Sequence, residues 1–484
     1  MAVPAIRITE VNSAEVRPSG EFVLYWMTAA RRRRANFALQ RAVEWCRELG
    51  KPLLVLEALR CDYRWASDRL HAFVLQGMRD NSADFAAGGV SYYPYVEPAR
   101  GAGKGLLQAL GQRAAVVVTD EFPCFFLPRM VHAAGAKLKV KLEQVDGNGM
   151  LPLRAADKVF ARAVDFRRFL QRVLAEHLPH FPVGDALRGE VGAASIPAEI
   201  LRKWPMATPE LLTGTASALA SLPIDHAVTP VESVSGGAMA AGAVLRAFVG
   251  NLKRYGEERN DPDAAASSGL SSYLHFGHIG AHQVFAALAK HEEWTSAKMD
   301  TKPSGKRGWL GMSPTAEEFL DQLITWRELG YNYCWQRNDY EDYESLPPWA
   351  KQTLGECAKD QREHVYSLEQ FERAETHDPL WNAAQRQLVG EGRIHNYLRM
   401  LWGKKVVEWT SIPQDAWQIL IELNNKYALD GRNPNSYTGI SWVFGRYDRP
   451  WAPRREVFGT IRWMSSQNTV RKVKTKVYQE RWGG

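Results

Sequence analysis

The segment HDPLWNAAQRQLVGEGRIHNYLRMLWGKKVVEW, residues 377 to 409, decides how the rest of the chain is interpreted. Asp378 and Pro379 have the residue types of a helix N-cap and a first helical position. Gly390 and Gly392 predict a tight break between this helix and a second one that runs antiparallel to it. The segment therefore predicts a pair of neighbouring helices.

Three tryptophans lie on these two helices. Trp402 and Trp409 are seven residues apart, so both project from one face of the second helix, and Trp381 lies about one turn into the first. Three indoles in this arrangement would form a chain suited to electron transfer. Tryptophans at helical spacing are more often core residues, so the spacing by itself favours packing and other segments must decide.

The bulk composition is that of a globular protein. The 484 residues are 45% hydrophobic and 24% charged, which predicts two or three domains and excludes a disordered chain. A net charge of +7 favours a polyanionic partner such as nucleic acid. The N-terminus has no signal core and no apolar window is long enough to cross a bilayer, so we expect a cytoplasmic protein without membrane attachment. We also expect a monomer with no obligate protein partner.

Cysteine usage agrees with a reducing compartment. The five cysteines are scattered, with an odd total and no CxxC spacing, which predicts reduced thiols that serve as packing residues. No cluster of His, Cys or Asp residues has the spacing of metal ligands, so no metal site is expected.

The pattern of apolar runs changes along the chain. Residues 21 to 150 alternate runs such as EFVLYWM and AAVVVTD with helical stretches such as FALQRAVEWCREL. The predicted fold class is an α/β N-terminal domain, a parallel sheet with flanking helices, at 1–154. An interdomain connection at 155–237 and an all-helical C-terminal domain at 238–484 complete the predicted organisation.

Two short segments suggest anion binding without establishing it. The segment ARGAGKGLL, around Gly103 and Lys104, lacks the spacing and the hydroxyl of a phosphate-binding loop. We interpret it as a helix start that glycine residues make flexible. No GxGxxG follows the first strand, so Rossmann-type nucleotide binding has no support. The run from Arg31 to Arg34 predicts a solvated basic patch that attracts DNA at long range, with a specific anion site as the alternative.

Longer segments identify a family. The chain resembles the photolyase/cryptochrome family, specifically class II cyclobutane pyrimidine dimer photolyases, in SSGLSSYLHFGHIG, FLDQLITWREL, GRIHNYLRMLWGKKVVEW, LNNKYALDGRNPNSYTGISW and DRPWAPRREVFGTIRWMS. The N-terminal segments VLYWMT, FALQRA and VDGNGMLPL also resemble this class. The resemblance covers most of the chain and is weakest between residues 155 and 250.

The resemblance implies a light-dependent DNA repair lyase that binds FAD noncovalently. In such enzymes light-excited FADH⁻ transfers an electron to a cyclobutane dimer flipped out of UV-damaged DNA, the ring opens, and the electron returns. One alternative is a cryptochrome-like blue-light photoreceptor with the same flavin and tryptophan chain. Another is a flavin-free DNA-binding module. Whether the N-terminal domain holds an antenna chromophore, a deazaflavin or a folate, stays open.

The resemblance also implies cofactor contacts. Donors for the flavin diphosphate come from hydroxyls and a helix start, at Tyr255, Ser267, Ser268, Leu270 and Ser271. Beside the flavin ring it implies Asn424, whose amide would accept a hydrogen bond from N5–H, and an ion pair between Arg399 and Asp430. The accepting amide would favour the reduced flavin over the oxidised form.

For photoreduction, the resemblance implies a chain from Trp402 next to the flavin, through Trp381, to Trp409 at the exposed end. For the lesion and the opened duplex it implies a pocket and a basic, aromatic C-terminal stretch, formed by Gln322, Trp326, Asn396, Met400, Trp442, Asp448, Arg449, Trp451, Arg462, Arg471 and Lys472. Trp326 and Trp442 are expected to be the walls of the pocket.

Some positions bear on the choice of lesion. Enzymes for the (6-4) lesion carry two histidines one turn apart where this chain has Asn396 and Met400, which favours cyclobutane dimers. Gln322 stands where class II enzymes place a lesion-binding glutamate, and Glu328 is the nearest alternative carboxylate. An amide can donate to a thymine carbonyl but supplies neither a negative charge nor a proton. Tyr447 replaces a histidine before the DRPW segment.

Overall fold

The computed structural model describes residues 2–189, 191–264, 266–300, 305 and 307–483. The chain divides into two compact units. The first unit contains residues 1–157, 172–249 and 269–299, and the second contains residues 158–171, 250–268 and 300–484. Each unit combines segments that are distant in the sequence, so the predicted boundaries at residues 154 and 237 do not coincide with this division.

The first unit contains a six-stranded sheet. Its strands are β1 (Ile8–Glu10), β2 (Phe22–Met27), β3 (Leu53–Leu59), β4 (Ser91–Val96), β5 (Ala114–Glu121) and β6 (Leu142–Asp146). Their order is β1-β6-β5-β2-β3-β4, with β1 antiparallel to β6 and the other pairs parallel. The predicted parallel sheet is confirmed.

Helices account for most of the remaining structure. In chain order they are α1 (Phe37–Leu49), α2 (Asp68–Ala87), α3 (Leu106–Gly111), α4 (Leu127–Gly135), α5 (Ala163–His177), α6 (Ala198–Lys203), α7 (Ala216–Leu219), α8 (Ala238–Gly250), α9 (Leu252–Glu258), α10 (Ser271–His275), α11 (Ala281–His291), α12 (Pro314–Leu320), α13 (Arg327–Gln336), α14 (Pro348–Glu356), α15 (Leu368–Glu372), α16 (Pro379–Glu391), α17 (Asn396–Glu408), α18 (Pro413–Tyr427), α19 (Pro434–Val443), α20 (Ser466–Lys472) and α21 (Lys476–Trp482). A π-helical turn, Asp321–Trp326, joins α12 to α13. Short 3₁₀ turns occur at Ala5–Arg7, Leu153–Ala155, Leu211–Thr213, Ser296–Lys298 and Tyr343–Ser345.

Burial on both faces explains why the strands are apolar runs. Every residue of β2 and β5 is buried, as expected for parallel strands covered by helices. Leu187 and Val191 pack on one face of the sheet together with α1, and Ile200 and Trp204 pack on the other. These later residues help to complete the core of the sheet, and residues 172–249 belong to the first unit.

An acidic side chain closes the loop that follows β2. Asp120, on β5, accepts the backbone N–H groups of Thr28, Ala29 and Ala30 at 2.8, 2.8 and 3.0 Å and the hydroxyl of Tyr25 at 2.8 Å. In nucleotide-binding α/β folds, N–H groups at this end of a strand bind a phosphate. Here a carboxylate fills that position, in agreement with the interpretation that the sheet lacks a phosphate-binding loop.

The run from Arg31 to Arg34 is not a solvated patch, and that prediction is wrong. Arg31 pairs with the buried carboxylate of Glu57 at 2.9 Å. Arg33 is 6% exposed and pairs with Asp185 at 2.7 Å. These carboxylates are distant in the sequence, so the run itself gave no sign that Arg31 and Arg33 are paired within the fold.

Candidate functional site

The helix pair predicted for residues 377 to 409 is present as α16 and α17 in the second unit. Asp378 caps α16, since its Oδ1 accepts the backbone N–H of Trp381 at 3.0 Å. Gly392 follows the helix with a left-handed φ of 65° and makes the predicted break. Gly390 lies inside the last turn of α16 instead of in the break.

Trp381 and Trp402 are fixed by hydrogen bonds of their indole nitrogens. Nε1 of Trp381 donates to the backbone C=O of Trp402 at 2.9 Å, and Nε1 of Trp402 donates to Oε1 of Gln385 at 3.0 Å. Both side chains are buried. Each indole is therefore held by the helix that carries the other, which gives the pair a fixed geometry.

Trp409 is not the exposed end of the chain, and this part of the prediction is wrong. Its side chain is 3% exposed, and its ring centroid lies 6.1 Å from that of Trp381. The rings of Tyr366 and His377 contact it at 5.8 and 4.8 Å, and the hydroxyl of Tyr366 lies 2.8 Å from Nδ1 of His377. These two residues precede α16, and no helical spacing connects them to Trp409.

A polar cluster lies at the C-terminal end of α18. Nδ2 of Asn424 donates to Oδ1 of Asn425 at 3.1 Å, and within the described residues the amide oxygen of Asn424 accepts no hydrogen bond. Nη2 of Arg399, on α17, lies 3.7 Å from Oδ1 of Asp430. The structure thus brings together the two residues of the predicted ion pair.

Two buried atoms of this cluster indicate that it binds another group. Nδ2 of Asn425 and Oδ1 of Asp430 have no hydrogen-bond partner among the described residues. A buried polar atom without a hydrogen bond costs about 1–3 kcal/mol. Here the Asn425 atom is a donor, and the Asp430 atom is an acceptor that has the ion pair with Arg399 at 3.7 Å but no hydrogen bond. A flavin ring presents both donors and acceptors along its edge, so the cluster fits such a ring.

Tyr255, on α9, is next to a basic residue that the sequence analysis did not single out. Its hydroxyl accepts from Nη1 of Arg259 at 3.3 Å, and Nη2 of Arg259 lies 2.7 Å from Oε1 of Glu318. Burial raises the pKa of Tyr255, so the phenol stays protonated at neutral pH. Arg259 lies one helical turn after Tyr255 in the sequence, and this spacing could have identified it.

The four remaining residues predicted for the diphosphate lie in one short segment, residues 267–271. Ser267 and Ser268 belong to the second unit, while Leu270 and Ser271 belong to the first. Leu270 is the residue before α10, and Ser271 is the first residue of that helix. The predicted helix start is therefore present.

The π-helical turn between α12 and α13 determines the surroundings of Trp326. The backbone N–H of Arg327 donates to the C=O of Gln322, five residues back. This wider turn brings Asp321 beside Trp326, and Oδ2 of Asp321 accepts the indole N–H at 3.2 Å. Arg167 binds the same carboxylate through Nε and Nη2 at 2.9 and 3.0 Å. A contact between residues five apart is not expected in an α-helix, so no helical spacing predicts the role of Asp321.

Trp326 and Trp442 do not face each other across a gap. Their ring centroids are 4.7 Å apart and their planes differ by 13°, which leaves no room for a base between them. The two indoles form a single wall, in contrast to the two walls that were expected. Close approach of α13 and α19 explains this, because a Cβ on Gly330 would lie 2.5 Å from Oδ1 of Asn435.

Lys404 joins the helix of Trp402 to the helix of Trp442. It is 1% exposed, and its Nζ donates to the C=O of Val443, the last residue of α19. Burial lowers the pKa of Lys404 to about 7. At the adjacent Gly403, a Cβ would lie 2.5 Å from Cγ2 of Val443, so the two helices are in close contact here.

The other residues predicted for the lesion lie on the same elements. Asn396 and Met400 are one turn apart on α17, the first exposed and the second half-buried. Gln322 is half-buried on the π-helical turn, while the alternative carboxylate, Glu328, is 4% exposed. Gln322 is therefore the more accessible of the two positions.

The C-terminal stretch forms a basic, aromatic surface. Trp451 is 39% exposed, and the guanidinium carbons of Arg449 and Arg462 each lie 5.4 Å from its ring centroid. Oδ1 of Asp448 accepts the indole N–H of Trp451 at 2.9 Å. Two cations therefore flank an exposed indole whose nitrogen is held in place. Arg471 and Lys472, on α20, are exposed as well.

Three further features concern metals, membranes and thiols. Within the described ranges, no group of three or more His, Cys, Asp and Glu side chains is arranged to hold a metal ion. No helix in that part of the chain is both long enough and apolar enough to span a membrane. All five cysteines are free and buried, as expected of packing residues.

Comparison with known proteins gives several full-length relatives, although no protein-family model matches the chain. The chain is 34% identical, over its whole length and 99% of the relative, to a deoxyribodipyrimidine photo-lyase of Methanothermobacter thermautotrophicus. It is 32% identical to the protein of that name from Oryza sativa subsp. japonica, over 98% of the chain and 89% of the relative. A third, from Potorous tridactylus, is 30% identical over 95% of the chain and 81% of the relative.

Solved structures agree on the fold. A bacterial class III photolyase from Agrobacterium tumefaciens superimposes with a TM-score of 0.70 at 18% identity, over 96% of this chain and 86% of the other. A cryptochrome from Synechocystis sp. PCC6803 gives a TM-score of 0.68 at 13% identity, over 95% and 88%. At such identities the likeness establishes the fold alone. The predicted fold class, an α/β domain with a helical C-terminal region, is confirmed.

Proposed function

The chain belongs to the photolyase/cryptochrome family as a relative of the deoxyribodipyrimidine photo-lyases, and on that premise we propose that it reverses cyclobutane pyrimidine dimers in UV-damaged DNA, using light and FAD. The observation that carries the proposal is the composition of α17. This one helix holds Asn396 and Met400 on the lesion side, Arg399 of the ion pair and Trp402 of the tryptophan chain. The cofactor, electron-transfer and lesion residues thus share a single rigid element.

The polar cluster and Arg259 provide groups suited to FAD. When bound and reduced, FAD supplies the electron that light transfers to the dimer. We assign the flavin ring to Asn424, Arg399 and Asp430, because the Asn424 amide and the two charges of the ion pair suit its edge. Arg259, next to Tyr255, supplies positive charge for a diphosphate. The positive charge of Arg399 favours the reduced ring as an anion over the neutral oxidised ring.

The tryptophan chain serves photoreduction of the cofactor. We assign Trp402 as the residue closest to the flavin, with Trp381 and Trp409 following. The indole N–H of Trp381 bonded to the backbone of Trp402, and the 6.1 Å between the rings of Trp381 and Trp409, support this order. Burial of all three indoles keeps water away from the chain.

The wall formed by Trp326 and Trp442 suits a flipped-out dimer. Stacking of a base on an aromatic side chain contributes about 1–3 kcal/mol. This offsets an unstacking cost of a few kcal/mol, which is smallest for a damaged pair. Gln322, on the same turn as Trp326, offers an amide N–H to a thymine carbonyl. Asn396 and Met400 in place of two histidines favour the cyclobutane dimer over the (6-4) lesion.

The basic, aromatic surface around Trp451 suits the opened duplex. Arg449 and Arg462 supply cations for phosphates, and the exposed indole supplies a face for an unpaired base. A net charge of +7 adds attraction that is not specific to sequence and that weakens as salt is added.

An aromatic cluster in the first unit is our candidate antenna site. Trp65 and Phe125 follow β3 and β5, have φ values of 68° and 62°, and stack with ring centroids 6.0 Å apart. Left-handed backbone at bulky residues is strained and concentrates at ligand sites. Nε1 of Trp65 is buried without a hydrogen-bond partner in the described structure. Fluorescence of the purified protein distinguishes a deazaflavin from a folate, and Trp65→Ala should release either one while FAD stays bound.

The cellular setting is part of the proposal. Five buried free cysteines support a reducing compartment, and we propose that the protein acts in the cytoplasm as a monomer. Size-exclusion chromatography with light scattering tests the second point, since a dimer would elute at twice the chain mass of 54.5 kDa.

Loss of lesions from UV-irradiated oligonucleotides tests the function directly. The reduced protein is incubated in blue light and in darkness with a cyclobutane-dimer substrate and with a (6-4) substrate. Light-dependent loss of the cyclobutane dimer alone is expected. Bound, photoreducible flavin without repair would replace the proposal by a photoreceptor, and a colourless protein without flavin would reduce it to a DNA-binding module.

A further inference from the structure

The side chain of Asn425 lies between Asn424 and the loop that follows α18. Its Oδ1 accepts two hydrogen bonds, one from the backbone N–H of Arg432 at 2.7 Å and one from Nδ2 of Asn424 at 3.1 Å. Asn425 is fully buried and Asn424 is 5% exposed, so water does not compete for these bonds. The orientation of both amides is set inside the protein.

The bond from Arg432 determines which atoms of the two amides, oxygen or nitrogen, meet in the bond between Asn424 and Asn425. A backbone N–H can only donate, so the Asn425 atom next to Arg432 must be the oxygen. The Asn424 atom that contacts this oxygen must then be a donor, which is the NH₂ group. By elimination, the end of the Asn424 amide that faces away from Asn425 is its oxygen. The usual ambiguity between the two ends of an amide is resolved by a group that cannot exchange roles.

The loop that supplies the fixed donor is itself held rigidly. Arg432 is 3% exposed, and its guanidinium donates to the backbone carbonyls of Asn425, Ala428 and Leu429. The chain therefore folds back on the end of α18 and is tied to it. This keeps the N–H of Arg432 pointed at Oδ1 of Asn425.

We infer that Asn425 is a positioning residue that makes Asn424 present its oxygen, and not its NH₂ group, to the flavin. This inference rests on the proposed function, in which Asn424 lies beside N5 of the ring. N5 of oxidised flavin is an acceptor, whereas N5 of reduced flavin carries a hydrogen and is a donor. A fixed oxygen pairs only with the reduced form. Asn425 thus biases the bound cofactor toward reduction through the orientation of Asn424.

A double-mutant cycle on the cofactor potential tests the inference. Asn425→Leu removes the acceptor and frees the Asn424 amide to turn its NH₂ toward oxidised N5. We expect the ratio of reduced to oxidised flavin at a fixed potential to fall about fivefold, the size expected from the net free energy of one hydrogen bond. In the Asn424→Ala background the same change should have no effect. Spectroelectrochemistry measures the ratio and absorbance measures the flavin content.

Two further variants separate orientation from charge and from folding. Asn425→Asp keeps an oxygen for both donors but adds a charge, so its shift should be the same with and without the Asn424 amide. Asn425→Ser keeps a hydroxyl near the N–H of Arg432 but is too short to hold Asn424, and it should reproduce the effect of Asn425→Leu even if the leucine variant loses flavin.

The outcomes distinguish this inference from the proposed function. Equal shifts for Asn425→Leu or Asn425→Ser in both backgrounds would overturn the inference while leaving the function intact. An Asn424→Ala variant with an unchanged potential would overturn the placement of Asn424 and the inference with it. A native protein that binds no FAD would overturn both the proposed function and the inference.

Discussion

Removal of the Asp321 carboxylate tests whether the π-helical turn holds the lesion wall in place. The carboxylate accepts the indole N–H of Trp326 at 3.2 Å and binds Arg167 through both of its oxygens. A hydrogen bond to a charged group contributes about 1.5–3 kcal/mol. We expect about 1–2 kcal/mol of this to be lost from lesion binding once the indole can rotate. Asp321→Ala should then raise the Kd for a dimer-containing oligonucleotide roughly 5- to 30-fold.

The assay is a second double-mutant cycle, carried out in darkness so that the lesion is not repaired. The Kd is measured for native protein, Asp321→Ala, Trp326→Phe and the double variant. Phenylalanine keeps a stacking ring but has no N–H, so Asp321→Ala should add little in that background. Asp165→Ala is the matched control, because it removes a carboxylate bound by Arg162 at 2.8 and 3.0 Å with no indole attached. Its Kd should be unchanged.

Equal losses of affinity with and without the Trp326 indole would refute the reasoning. They would mean that Asp321 acts through Arg167 or through the fold in general. Arg167→Met addresses this directly, because it leaves the acceptor in place but removes its anchor. An intermediate loss of affinity is expected, with thermal unfolding recorded in parallel to show that each variant is folded.

Three other predictions concern electron transfer, pH and lesion contact. Trp402→Phe should abolish photoreduction of bound FAD while repair by chemically reduced protein stays largely intact, and normal photoreduction kinetics would contradict the assigned chain. Lys404 has a pKa lowered by burial from 10.5 to about 7, so the unfolded chain binds more protons between these values and stability should rise with pH across that window. The free energy of unfolding, measured in urea at several pH values, should change with pH more steeply for native protein than for Lys404→Met, by up to about 1.4 kcal/mol per pH unit. The same pH dependence in both proteins would show that the buried amine does not titrate as described. Gln322→Ala should raise the Kd for the dimer about fivefold, as for one hydrogen bond, and leave binding of undamaged DNA unchanged.

Sequence reasoning succeeded where neighbouring residues determine the structure. The segment FALQRAVEWCREL became α1 with the bounds Phe37–Leu49, because Asn36 caps its start and Gly50 adopts a left-handed φ of 63° after its end. Asp378 caps α16 for the same local reason. Apolar runs predicted the positions of the strands, because a parallel sheet buries both of its faces. The proximity of Arg399 and Asp430 came instead from the family resemblance.

Sequence reasoning failed where a segment distant in the sequence supplies the contacting side chain. Glu57 neutralises Arg31, and Tyr366 with His377 covers Trp409, although none of these contacts follows from a spacing rule. The predicted boundaries at residues 154 and 237 stay a prediction, and no local pattern indicates that residues after 172 help to complete the core of the sheet.

The residues that set the chemistry of this site carry the weakest sequence signal. Asp321 reaches Trp326 only because the helix widens into a π turn, and its direction is fixed by Arg167. Asn425 directs Asn424 only because the backbone N–H of Arg432 has no choice but to donate. In both cases the family resemblance predicts the functional side chain, but a neighbouring residue that the resemblance did not predict sets its orientation. Transfer of the motif residues alone to another scaffold should therefore reproduce contacts but lose their orientation, and the two cycles above measure how much of the function that orientation supplies.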